Sequence, residues 1–344
     1  MKATNIGVIG CGYWGPNLLR NFAENEDAQL RWICDIDEDR LASMSRRYPM
    51  AQKTTAYDTL VSDPALDAVA VVTPVATHYT IARELLRAGK HVLLEKPLAA
   101  TAREAEELID LAEMNELTLM VDHTFIYTGA VRKMGELIHR GDLGKIFYYD
   151  SIRVNLGLFQ RDVNVISDLA VHDFAILDYL LREHPTAVSA SGLTHFPGTP
   201  ENLAYITLFY DSGTIAHANV NWMAPVKVRQ ILIGGSTKMI VYDDMQVADK
   251  IKVYDSGVSF TSDPAQIYQM RVGYRTGDMW APKIDLTEAL RFEGEHFVKC
   301  IEGAENPITD GYLGLRVVEL IEAATSSMRG KGETVYIQRQ GKAV

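Results

Sequence analysis

Gly10-Cys11-Gly12-Tyr13-Trp14-Gly15, directly after the apolar run Asn5-Ile6-Gly7-Val8-Ile9, constrains this chain more than any other feature. A second apolar run, Leu30 to Cys34, is closed by Asp35, twenty residues past Gly15. The spacing predicts a strand, a tight turn, a helix and a second strand ending in a carboxylate, the pattern of a dinucleotide-holding βαβ unit. Gly10 permits a sharp turn out of the first strand. Gly12 lets bare backbone approach a pyrophosphate, and Gly15 lets the helix pack closely. Pro16 stands where a helix tolerates a missing amide, and Leu18, Leu19 and Phe22 recur at helical spacing. The helix then presents its N-terminal amides to the phosphates, with Tyr13 and Trp14 beside them in the loop. An ordinary strand-to-helix turn is the plainer reading, since 25 glycines in 344 residues make accidental matches, but the signals on both flanks argue against it. Asp35 can accept hydrogen bonds from adenosine ribose hydroxyls and would repel a 2′-phosphate. Asp37 adds to that field, and Arg40 lies a full turn into the next helix, so NAD is favoured over NADP.

The same alternation continues. Strand-like runs at Ile6–Ile9, Leu30–Cys34, Ala68–Val72, Val92–Leu94 and Leu117–Val121 are separated by amphipathic segments at Pro16–Glu24, Glu38–Tyr48, His78–Ala88 and Ala102–Asn115. Near-continuous apolar strands alternating with helices predict a parallel sheet covered on both faces. Right-handed crossovers put the carboxyl ends of the strands on one edge, where ligands bind. Three chemically loaded segments fall there: the glycine loop, Thr73-Pro74-Val75-Ala76-Thr77-His78, and Glu95-Lys96-Pro97. A lysine at the mouth of a nucleotide crevice can be partly desolvated, which lowers its pKa toward an acid/base range. A solvated loop lysine is the plainer alternative for Lys96.

From about Gly144 the pattern changes. Lys145–Val154 reads as a strand and Ser167–Leu181 as a helix burying Ala170, Phe174, Leu177 and Leu181. Strand-like runs follow at Ala187–Leu193, Ala204–Tyr210, Thr214–Asn221, Val228–Ile233 and Lys238–Val241, and two late helices at about Glu288–Glu302 and Tyr312–Met328. The expected fold is α/β: a Rossmann parallel sheet in 1–124 and an α+β domain with a large, mostly antiparallel sheet in 125–344. Asp168 and His172, four apart on a helix, leave one face together. They fit either a surface ion pair or an acid/base pair in which Asp168 steadies the imidazole of His172.

Length suits two domains, and 47% hydrophobic with 23% charged residues is a globular profile. A net charge of −11 provides no basic stripe for nucleic acid. No stretch reaches the roughly 18 apolar residues that span a bilayer. The N-terminus lacks a signal-peptide core, and three scattered cysteines (Cys11, Cys34, Cys300) build neither a disulfide framework nor a metal site, so a reducing cytoplasm is expected. In so acidic a chain, arginines near the crevice draw attention: Arg153 with Asn155, Arg161, and Arg275 within Arg271–Asp278 could hold a diphosphate. Surface arginines on loops are the competing reading.

The glycine loop, Thr73-Pro74…His78, Ala88-Gly89-Lys90-His91-Val92 and above all Glu95-Lys96-Pro97 resemble the Gfo/Idh/MocA oxidoreductases. Asp168-Leu169-Ala170-Val171-His172-Asp173 is similar to the family's second signature, and Glu295-His296-Phe297 through Thr309-Asp310-Gly311 is similar as well, so the likeness covers essentially the whole chain. It implies an NAD(P)-dependent enzyme acting on sugars, inositols or nucleotide sugars. It implies that Lys96 sits beside the nicotinamide and the reacting hydroxyl, with a cis Lys96–Pro97 peptide, and that Asp168 and His172 face it from the second domain. It also implies a homodimer or homotetramer formed on the open face of the second sheet. Where family members often carry an arginine, this chain reads Val121-Asp122-His123-Thr124-Phe125-Ile126-Tyr127; His123 and Tyr127 either line the nicotinamide end or pack between domains. Gly12 to Leu18 and Arg275 to Lys283 look most like the nucleotide-sugar branch, whose members oxidise the 3-hydroxyl of a UDP-N-acetyl sugar. Keto-sugar reduction, inositol or free-sugar oxidation, NAD-dependent glycoside cleavage and a non-catalytic dinucleotide sensor are the alternatives.

Overall fold

The computed structural model describes residues 3–157, 159–160, 163–259 and 273–337. The chain forms two compact units, Met1–Thr128 with Leu286–Glu319, and Gly129–Asp285 with Leu320–Val344.

In chain order the first unit begins β1 (Thr4–Ile9), α1 (Gly15–Glu24), β2 (Ala28–Cys34), α2 (Glu38–Arg47), β3 (Gln52–Thr54) and α3 (Asp58–Ser62). It continues β4 (Ala68–Val71), α4 (Val75–Arg87), β5 (His91–Glu95), α5 (Ala102–Met114), β6 (Leu119–Asp122) and a 3₁₀ turn over Thr124–Tyr127. All six strands run parallel in the order β3-β2-β1-β4-β5-β6. Every residue of β1, β4 and β6 is buried, as expected of strands covered on both faces. Asp37 begins α2 by accepting from the amides of Asp39 and Arg40, and Thr101 begins α5 by accepting from Glu104.

The second unit opens with α6 (Gly129–His139) and β7 (Ile146–Leu156), then a π-helical turn over Ile166–Ala170 that leads into α7 (Val171–Leu181). Strands β8 (Ala187–Leu193), β9 (Leu203–Phe209), β10 (Ile215–Asn221), β11 (Met223–Gly235), β12 (Met239–Asp243), β13 (Ile251–Ser259) and β14 (Gly273–Trp280) follow. The chain then returns to the first unit for α8 (Ala289–Ile301) and the start of α9 (Gly311–Arg329), and a short β15 (Val335–Tyr336) closes the second. The nine strands are ordered β14-β13-β12-β11-β7-β10-β9-β8-β15, antiparallel throughout except for the β7–β10 pair. Alternation is clear: Ala204, Ile206 and Leu208 of β9 and Ala216, Ala218 and Val220 of β10 are buried, whereas Tyr205, Phe209 and Ile215 point to the open face.

The division at 124/125 needs correcting. Residues 286–319 belong with the parallel sheet because the apolar stripe of α8 (Leu290, Phe297, Val298) completes the core formed by Ile6, Val8, Leu18, Leu19 and Phe22. Phe22 and Phe297 meet edge to face at 6.4 Å. On the other sheet face Val318 of α9 joins Val69, Val71, Val92 and Leu94. The boundary between the units therefore falls inside α9, a place that local sequence pattern cannot mark.

Candidate functional site

In the first unit the carboxyl ends of β1, β4, β5 and β6 carry the glycine loop, Thr73, Lys96 and Asp122 respectively. The three glycines of the loop do different work. Gly10 has φ +105°, and a Cβ there would sit 2.4 Å from the Val72 carbonyl oxygen. A Cβ on Gly15 would lie 2.0 Å from the oxygen of Gly10, so the loop closes on itself there as the helix starts. At Gly12 a Cβ would meet only Nη1 of Arg40, at 3.8 Å. Gly10 and Gly15 answer to the protein's own packing, whereas Gly12 leaves open space above bare backbone at the N-terminus of α1. A pyrophosphate fits that cradle.

Asp35 is buried and accepts from the amide of Cys11 at 2.5 Å and of Asp37 at 2.8 Å. It thus fastens the glycine loop to the end of β2. A carboxylate has about four acceptor positions, so ribose hydroxyls can still be received. Arg40, ion-paired with Asp37 at 3.3 Å, reaches back over the loop, closer than its place in the chain suggests. Tyr13 is 91% exposed, while the indole of Trp14 turns inward and donates to Asp122 Oδ2 at 2.7 Å. Cys11 and Cys34 are buried thiols pushed up to about 12 by desolvation, assisted by the Asp35 charge, which makes them inert packing groups.

Thr77 Oγ1 donates to the Pro74 carbonyl (2.7 Å) and lies 2.8 Å from Thr73 Oγ1, from which it can accept, shaping the entry to α4. His78 is 1% exposed, with Nε2 2.8 Å from the Thr73 carbonyl and Nδ1 2.9 Å from that of Pro97. Desolvation, reinforced by the Lys96 charge, depresses its pKa. Both ring nitrogens face backbone carbonyls and the neutral ring donates to one of them, so His78 braces the loops around it, which corrects its reading as a direct cofactor contact. Lys96 and Glu95 are half-buried at the end of β5, and the Lys96–Pro97 peptide is cis.

Asp122 was not singled out from the sequence. It is buried at the end of β6 and accepts from Trp14 and from the Thr124 hydroxyl. Burial raises its pKa against the hydrogen bonds and the nearby Lys96 charge. An acidic residue ending the apolar run Leu119–Val121 was the available signal. Tyr127 lies inside the first unit, its hydroxyl 3.0 Å from His296 Nδ1 and 3.2 Å from Thr309 Oγ1, and His123 is buried in the same unit.

In the second unit Asn164 starts the helix by accepting from the amides of Ile166 and Ser167 at 3.1 Å. Asp168 lies on the π turn and His172 in the first turn of α7, both half-buried. Single π turns within helices recur at functional sites. Asp168 Oδ2 accepts from the indole of Trp222 at 2.9 Å, a partner that sequence reading did not find. Asn155 is half-buried one residue past the Val154↔Asn221 pairing, so register brings it beside Trp222. Phe159 packs on Trp222 at 5.6 Å and on Phe196 at 5.2 Å.

One expected substrate contact is corrected. Arg153 is 4% exposed on the covered face of β7 and forms a two-pronged pair with Asp173 of α7, at 2.8 and 3.2 Å. Its guanidinium is a structural cross-link between sheet and helix. Arg275 is held by Asp255 and the Thr237 carbonyl on β14, the edge strand, four strands from β7. Arg161 and Arg271 lie outside the described residues. Among the described residues no group of three or more His, Cys, Asp or Glu could hold a metal ion, and no helix is long and apolar enough to cross a membrane.

Comparison with known proteins gives the same picture. Residues 4–123 match the oxidoreductase family with an NAD-binding Rossmann fold, and residues 131–241 match the GFO/IDH/MocA C-terminal domain. The chain is 26% identical over 225 residues to the uncharacterized oxidoreductase YrbE of Bacillus subtilis, covering 62% of this chain and 66% of that one. It is 26% identical over 320 residues to UDP-N-acetylglucosamine 3-dehydrogenase of Acidithiobacillus ferrooxidans, covering 91% and 93%. The crystal structure of GenD2 from gentamicin A biosynthesis, in complex with NAD, has the same fold (TM-score 0.82, 21% identity, covering 98% and 97%). The chain belongs to the GFO/IDH/MocA family of NAD-binding oxidoreductases.

Proposed function

We propose that this protein is an NAD-dependent dehydrogenase of a nucleotide sugar, oxidising the 3-hydroxyl of a UDP-N-acetyl sugar. The observation that carries the reading is the placement of Lys96 on the sheet edge that also bears the glycine cradle. The similarity to a UDP-N-acetylglucosamine 3-dehydrogenase along nearly its full length supports the choice of sugar class. NAD supplies the redox chemistry when bound. Gly12 and the first amides of α1 hold its phosphates, and Asp35 its adenosine ribose. Oxidising a secondary alcohol requires a group to take the hydroxyl proton as the carbon is oxidised. Lys96 and His172 handle that proton, and Asp168, itself steadied by Trp222, stabilises the imidazolium. Asn155 contributes polar contacts to the sugar.

The protein acts as a homo-oligomer, with the open face of the second sheet as the contact between copies. Ile152, Tyr205, Phe209 and Ile215 leave apolar side chains on that face, 38%, 47%, 38% and 44% exposed respectively, with Thr207, His217 and Asn219 between them. Light scattering on wild type and an I215D/F209D variant tests this, and an unchanged mass would refute it. For the activity, UDP-sugars, free sugars and inositol are each offered with NAD, NADH absorbance is followed, and the oxidised carbon is identified. UDP-N-acetyl sugars should be preferred and the keto group should lie at carbon 3. Equal rates with free sugars or inositol would overturn the substrate class.

A further inference from the structure

The first unit contains a group of carboxyls that the chemistry above does not use. Glu293, in the middle of α8, is wholly buried, and no N–H or O–H among the described residues donates to either of its carboxyl oxygens. The helix packs on the turn that follows β6, with the rings of Phe292 and His296 5.8 and 5.6 Å from that of Tyr127, and this sets Glu293 beside Asp122, Thr124 and Glu95. Glu95 and Asp122 are paired positions of neighbouring strands. Lys96 supplies the positive charge near Asp122. An ionised Glu293 beside an ionised Asp122, both sealed from water, would be strongly unfavourable. Burial and the neighbouring Asp122 accordingly hold the Glu293 carboxyl far above the usual range.

Asp122 is also the acceptor for the Trp14 indole, and Trp14 is the residue between Tyr13 and Gly15 in the NAD-holding loop. We propose that Asp122 and Glu293 hold one proton between them, and that this pair positions Trp14, and with it the glycine loop, to receive NAD. Glu293 O–H donates toward Asp122, Asp122 keeps its negative charge, and that charge accepts from both Trp14 and Thr124. Glu293 and Asp122 are positioning residues. The α8 segment, distant in the chain, is thereby part of the cofactor site.

Infrared difference spectra between wild type and E293Q, both without NAD at neutral pH, test the shared proton. The carbonyl stretch of a protonated carboxylic acid should be lost in the variant. NAD affinity, measured by calorimetry, tests the positioning. E293Q should bind NAD as wild type does, because a carboxamide N–H still donates to Asp122. E293M and W14F should each weaken binding about tenfold, the scale of one hydrogen bond to a charged group. The W14F/E293M double variant should lose no more than either single one, because both break the same chain through Asp122. Absence of the carboxylic-acid band, unchanged affinity in E293M, or additive losses in the double variant would each overturn the proposal. Should E293M not fold, the size-conserving E293Q and the wild type decide through the band alone.

Discussion

The two units treat buried charge in opposite ways. Arg153 and Asp173 in the second unit join opposite charges in a two-pronged pair between sheet and helix. Asp122 and Glu293 in the first join like charges, which only a proton can reconcile. The contrast separates scaffolding from function. A buried ion pair is withheld from ligands, however suggestive its arginine looks in the sequence. A pair of acids beside a lysine and a glycine loop is costly to keep, and such arrangements cluster where proteins tune chemistry.

The largest effect expected from this contrast is at Lys96. Replacing it by alanine should lower turnover about 10²–10⁴-fold and leave NAD affinity nearly intact. Steady-state rates with the best sugar found, beside an NAD titration, measure this, and unchanged turnover would remove Lys96 from the chemistry. Next comes Arg153→Met, which leaves Asp173 buried without its partner and should cost about 3–5 kcal/mol of stability. Chemical denaturation reads that loss. If the variant is instead stable and raises KM for the sugar, Arg153 is a substrate residue and the scaffolding reading fails.

The glycine loop sharpens the comparison within one unit. Gly15→Ala forces a methyl against the Gly10 oxygen and should destabilise by about 1–3 kcal/mol. Gly12→Ala, with open space around it, should leave the melting temperature nearly unchanged while weakening NAD binding. Equal stability losses in the two variants would undo the distinction between packing and ligand glycines. The smallest effect is expected at Trp222→Phe, which removes one donor to Asp168, a bond of about 1.5–3 kcal/mol to a charged group in favourable cases. It should change kcat or KM for the sugar but not NAD affinity, and an unaffected sugar reaction would free Asp168 from its assigned role.

The cofactor half was legible because its signals are local. A glycine pattern between a strand and a helix, an acid closing the next strand, and apolar runs alternating with amphipathic ones each report on neighbours in the chain. Parallel topology then carries Thr73 and Lys96 to the same edge as the glycine loop without further information. The short β3 escaped notice because its Gln52-Lys53-Thr54 is polar, at the sheet's edge. In the second unit a residue's fate depends on which face of a strand it occupies and what helix covers it. Arg153 and Asn155, two residues apart on β7, share a face and differ in what lies over it: one is cross-linked to α7 in the interior and the other lies beside Trp222.

Sequence by itself determined the parallel sheet, its functional edge and the cofactor, since these rest on short-range periodicity and on backbone needs that only glycine meets. Tertiary structure alone decided that 286–319 belongs to the first unit, that His78 braces loops, and that Asp122 meets Trp14 and Glu293. Those outcomes turn on hydrogen bonds and desolvation between residues more than a hundred positions apart in some cases, such as Trp14 and Asp122. A linear pattern records what a residue is; only the packed molecule sets how much water and which partner it keeps.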